Sequence, residues 1–108
     1  MANYLFFESR DVFESNDVQR LCELAIQLRR AGHGVALFLV QNGTLSARAG
    51  VAASRLHQAI AAGVHVLADE FALAERGIGT ERLAGGVEVA PLGEAVGLLA
   101  AGWKAAWH

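Results

Sequence analysis

Six consecutive residues, Val35-Ala36-Leu37-Phe38-Leu39-Val40, constrain this chain more than any others. Every position is apolar, so neither face of the segment can be left to water. It is closed by a Gln41-Asn42-Gly43 turn, and a strand buried on both faces belongs in the middle of a parallel sheet covered on both sides. Tyr4–Phe7, Val64–Ala68 and Val87–Val89 are shorter runs of the same kind, and Trp103–Trp107 has the length of a fifth, edge strand. Between these runs the apolar period becomes helical. Val18, Leu21, Cys22, Ala25 and Leu28 share one side of a helix, with Gln19, Arg20, Glu23, Gln27 and Arg30 on the other. Asn16 and Gln19 fit a capping box that starts this helix near Asp17, and Gly32 and Gly34 end it.

A second helix is expected over Ala47–Ala62, with Val51, Leu56 and Ile60 inward and Gly63 as its C-cap. A short one over Glu70–Glu75 ends at Gly77, Thr80–Leu83 forms another turn, and Pro91 suits the first position of a helix over Leu92–Ala101 capped by Gly102. Strand and helix thus alternate with connections of a few residues. That pattern predicts a three-layer α/β domain of flavodoxin-like order, its five-stranded, mostly parallel sheet carrying helices on both faces.

With 108 residues, the chain makes one domain, residues 1–108, around one core. Hydrophobic residues make up 54% of it and charged ones 19%, more apolar surface than so small a body hides, which favours association with itself or with related chains. A net charge of −2 with no basic block excludes nucleic acid as the expected partner. No run approaches a membrane span, and MANYLFFESRD lacks the basic start of a signal peptide. One cysteine forms no internal disulfide, no Cys/His spacing suggests a metal, and the cytoplasm is the expected compartment.

Ligands of such sheets bind beyond the carboxyl ends of the strands. The first strand delivers Glu8, Ser9, Arg10 and Asp11 there, the second Gln41, Asn42 and Gly43, the third Asp69 and Glu70. Candidate ligand-binding residues are therefore Arg10, Asn42, Gly43, Asp69 and Glu70. Two readings of Asp69 stand side by side: an N-cap of the next helix, or, with Glu70, the acidic wall of a small pocket opposite Arg10. Asn42-Gly43 offers backbone N–H groups to an anion or is an ordinary turn. Neither a GxGxxG nor a P-loop pattern follows a strand, and no GxSxG elbow occurs, so no nucleotide cofactor or Ser-His-Asp chemistry is expected. Cys22 falls on an apolar helix face, where burial makes it a small core hydrophobe. His65, between two valines, is expected in the core; His33 and His57 are expected at the surface.

Three segments, ALFLVQNGTL (Ala36 to Leu45), AGVHVLADEFALAERGI (Ala62 to Ile78) and GGVEVAPLGEAVGLLAAG (Gly85 to Gly102), resemble the DsrE/DsrF-like family of bacterial and archaeal sulfur relay. The resemblance implies a flavodoxin-like fold and assembly into homo-oligomers or hetero-oligomers with DsrE-like chains. It also implies sulfur carriage as a persulfide in those members with a cysteine just after the third strand. Counted back from Gly77, that position falls on or next to Asp69, and an aspartate has no sulfur to pass on. What the resemblance implies is thus a non-catalytic DsrE-like accessory or small-ligand-binding protein, with no cofactor and no catalytic residue. Three alternatives remain: a sulfurtransferase using Cys22, an enzyme using Asp69 or Glu70 as a general base, and a purely structural oligomer with Trp103 and Trp107 at its edge.

Overall fold

The computed structural model describes residues 2–11, 17–50 and 53–107. The strands are β1 (Asn3–Glu8), β2 (Gly34–Leu39), β3 (His65–Asp69), β4 (Glu88–Ala90) and β5 (Lys104–Trp107); the helices are α1 (Asp17–Arg30), α2 (Ala53–Ala61), α3 (Glu70–Glu75) and α4 (Gly93–Ala100). All four strand pairings are parallel, in the order β4-β3-β2-β1-β5. The expected three-layer α/β architecture is present. Its strand order departs from the flavodoxin order 2-1-3-4-5. Here the chain steps one strand at a time from β1 to β4, then crosses the whole sheet through α4 to lay β5 beside β1.

β2 sits in the middle, and its two faces feed two separate cores. Val35, Leu37 and Leu39 join Cys22, Ala25 and Ile26 of α1, Leu56 and Ala59 of α2, and Leu73 of α3. Ala36, Phe38 and Val40 join Leu5, Leu67, Ala90 and Ala95 of α4. The first face has three helices over it and the second a single eight-residue helix. Phe7 extends the second core toward the edge, stacking on Phe38 at 6.1 Å between centroids and on Trp107 at 5.2 Å.

Several boundaries differ from expectation, each for a local reason. The helix expected from Ala47 does not start there, because Gln41–Ala47 is a 3-10 helix and Arg48 is extended, bridging to Leu83; α2 is described over Ala53–Ala61. Buried Thr44 tightens that 3-10 turn by donating its hydroxyl to the Gln41 carbonyl at 2.8 Å. Gly63 ends α2 with φ +98° as expected, its N–H reaching Ile60 O at 3.0 Å. Pro91 stands just before α4 rather than inside it, since Leu92 is the N-cap. The Asn16 cap and inward Val51 lie outside the described residues. His65, the first residue of β3, is exposed rather than in the core, since β3 is the last strand but one of the sheet.

Phe38 has no exposed surface and bridges the apolar face from Phe7 inward. Phe38→Ala is expected to lower unfolding free energy by about 3–5 kcal/mol, read from chemical denaturation, with far-UV circular dichroism of the folded state unchanged.

Candidate functional site

Every strand of a parallel sheet ends on the same rim, and here that rim holds a cleft of about 290 Å³. β2 contributes its exit residues Val40 and Gln41, β3 and α3 contribute Asp69, Phe71 and Glu75, and Leu92 and Trp107 close it from the α4 side. Asp69 leaves the core at the last residue of β3, with extended backbone, and its Oδ2 accepts the Ala72 N–H at 3.3 Å. The N-cap reading of Asp69 is therefore correct, and one carboxylate oxygen is left over for the cleft. Gln41 is left-handed at φ +49°, an unfavourable conformation for a residue with a Cβ, and it stands on the same wall.

The other candidates lie elsewhere on the rim. Asn42 is exposed and its Oδ1 accepts two bonds from Arg76, from Nε at 3.2 Å and Nη2 at 3.0 Å. Gly43 is buried against β1: a Cβ there would run into the Glu8 carbonyl oxygen, so the residue is a packing requirement. Its N–H bonds to Val40 O at 2.8 Å, within the turn. Arg10 is exposed and bonded through its backbone, its N–H donating to Glu8 Oε1 at 2.9 Å; it does not line the Asp69 cleft. Glu70 opens α3 and is exposed, also outside the cleft lining. The residues that complete the cleft beside Asp69 are instead mostly apolar and aromatic, with Gln41 and Glu75 as the polar ones.

Behind the rim lies a buried polar group that sequence reading did not single out. Glu8 is fully buried, as is Thr44, and Asp11 and Ser46 nearly so. Ser46 donates its hydroxyl to Asp11 Oδ1 at 3.2 Å, tying the 3-10 helix to the segment after β1. The available signal was position: charged and hydroxyl residues directly following an apolar strand must find partners if the chain folds back over them.

Cys22 is in the first core with 1% of its surface exposed. Burial pushes its thiol from an ordinary 9.0 up to about 11, and the nearby Glu8 carboxylate pushes the same way. Such a thiol is neither accessible nor ionised at neutral pH. His33 is half-buried, its Nδ1 accepting the Ala2 N–H at 3.0 Å, while His57 is exposed. Among the described residues no three His, Cys, Asp or Glu side chains are grouped to hold a metal ion, and no helix is long and apolar enough to cross a membrane.

No protein-family model matches the sequence, and no curated protein matches it. Three solved structures share the fold over almost the whole chain. The ychN protein from E. coli superposes with a TM-score of 0.88 at 22% identity, covering 100% of both chains. A protein of unknown function from Methanobacterium thermoautotrophicum, MTH1491, gives 0.80 at 18% identity, again with 100% of both covered. A conserved protein of unknown function from Bacteroides thetaiotaomicron, BT1422, gives 0.75 at 15%, covering 97% of this chain and 94% of that one. At these identities the likeness establishes a common fold.

Two outcomes follow from this geometry. Between pH 9.0 and about 11 the folded state keeps the Cys22 proton that an unfolded chain gives up, so stability falls as pH rises through that window. Denaturation midpoints across it should drop less in Cys22→Ala than in the native chain. Gly43→Ala should cost roughly 1–3 kcal/mol in the same assay, because β1 and the turn must separate to admit a methyl group.

Proposed function

We propose that this chain is a DsrE-like accessory protein of sulfur metabolism that acts as an assembly of several copies and does not itself carry sulfur. The observation that carries this reading is the end of β3. Asp69, engaged as the cap of α3, stands on or next to the position where the resemblance calls for a persulfide cysteine, and the one thiol is sealed in the first core. The fold shared with ychN and its counterparts supports the resemblance. The apolar rim cleft beside Asp69 is the ligand-sized space left when the sulfur chemistry is removed.

Assembly is supported by the thinly covered second face. Leu92, Val96 and Leu99 are 53%, 62% and 43% exposed and recur at i, i+4 and i+7, a stripe along the outside of α4. Leu92 also joins Phe71 and Trp107, 67% and 63% exposed, around the rim cleft. Their open surface is on the order of 500 Å², at the upper end for one patch on a monomer and a large part of the ~800 Å² that each partner gives a standard interface. No lysine or arginine occurs between Arg82 and Lys104, and the charged residues of that stretch are Glu88 and Glu94. The occupant assigned to the patch is a second copy of this chain.

Both halves are open to measurement. Treated with a low-molecular-weight persulfide, which would hand its outer sulfur to a thiolate and leave as a thiol, the native protein should gain no sulfur by mass spectrometry. Asp69→Cys should gain one; sulfur on Cys22 of the folded native chain would overturn the reading. In light scattering the native chain should run as an oligomer and Val96→Glu as a smaller, equally folded species. A native monomer at micromolar concentration would remove the assembly.

A further inference from the structure

We infer that the amino end of the sheet, opposite the Asp69 rim, carries a binding site for a small zwitterion whose ammonium and carboxylate are separated by an apolar body. Two clefts meet there. One, of about 190 Å³, lies between α4 and the sheet, with Ala36, Leu67 and Leu98 as apolar lining and Glu88 and Glu94 as its carboxylates. The other, of about 250 Å³, opens under the strand starts, with Arg29 as its cation and Asn3 beside it. His65 and Trp103 line both, so the two clefts adjoin on either side of an imidazole and an indole.

The groove's charges are sorted. Both carboxylates are on one side of the His65–Trp103 divide and the guanidinium is on the other. None of Glu88, Glu94 and Arg29 has an ion-pair partner among the described residues, where the bridges are Arg55–Glu23 and Arg76–Glu75. A ligand that spans the divide can therefore give an ammonium to the glutamates and a carboxylate to Arg29, each a charge-assisted contact. The middle of such a ligand meets Trp103, Leu67 and Leu98.

Two glycines let the polar side chains of the second cleft pack against the backbone. A Cβ at Gly34 would strike the Asn3 side-chain oxygen, and one at Gly63 would lie 2.7 Å from Arg29 Nε. Gly63 also needs its left-handed φ to end α2, but Gly34 has no such backbone requirement. At Gly34 the place a Cβ would take is filled by the Asn3 side chain, which packs there at the mouth of the second cleft. Because the two charged sides are separated by a histidine and a tryptophan, the two charges of the ligand must also stand apart. A dipeptide with apolar side chains holds its ammonium and carboxylate further apart than a single α-amino acid does, with apolar groups between them.

The test is an NMR titration of the full-length protein with leucyl-leucine, read at the Trp103 indole and His65 imidazole signals. Leucyl-leucine should shift both saturably. Its C-terminal amide, which lacks the carboxylate, and its N-acetyl form, which lacks the ammonium, should each bind about tenfold more weakly. Glu88→Gln with Glu94→Gln should erase the difference between leucyl-leucine and its N-acetyl form. Arg29→Gln should erase the difference between leucyl-leucine and its amide. All three positions are exposed, so these variants fold. Unmoved signals, or binding indifferent to both charges, would overturn the site; neither result bears on Asp69 or on assembly, which lie outside this groove.

Discussion

The burial of β2 on both faces is the constraint on which everything else rests. The six residues Val35–Val40 are divided between two cores, and a parallel ladder ties β2 to β1 on one side and β3 on the other. Since adjacent residues of a strand face opposite ways, a slip of one residue would exchange Leu37 and Leu39 for Phe38 and leave neither core filled. The same ladder delivers Val40, Gln41 and Asp69 to a common rim. The position of the candidate site is thus a by-product of the register that builds the hydrophobic interior.

The two faces are unequal, and that inequality governs what the molecule can do. Winding from β1 to β4 without reversal places α1, α2 and α3 on one side, leaving only the return crossover for the other. A single short helix cannot hide five strands. Its uncovered margins become an apolar stripe toward the carboxyl rim and an open groove toward the amino end. One margin is continuous with large aromatic side chains and suits a protein surface; the other is flanked by separated charges and suits a small polar molecule. Cys22, on the crowded side, is shielded by the helix packing that the open side lacks.

Much of this was legible in the residues. The apolar runs identified all five strands, and the helical spacing of Val18 through Leu28 identified α1 and predicted the burial of Cys22. Asp69 as a cap was one of the two readings that an acidic residue at a strand exit allowed. The 3-10 helix was not legible, since its cause is the contact of Gly43 with a β1 carbonyl far away in sequence. Nor was the exposure of His65, whose alternation with valines suggests a core strand whether or not a helix reaches over it. The pairing of Asn42 with Arg76 rather than with a ligand likewise joins residues 34 positions apart.

The sequence alone determined which segments are strands and helices, that they alternate as an α/β fold requires, and that a carboxylate rather than a thiol ends the third strand. These are local matters, decided by apolar period, turn chemistry and side-chain identity. Only the tertiary structure decided the strand order, and with it which face stays thinly covered, which residues join Asp69 around the rim, and where Glu88, Glu94 and Arg29 stand relative to Trp103. Those depend on the path of a single crossover, and periodicity reports which side of a segment is buried without saying what lies against it.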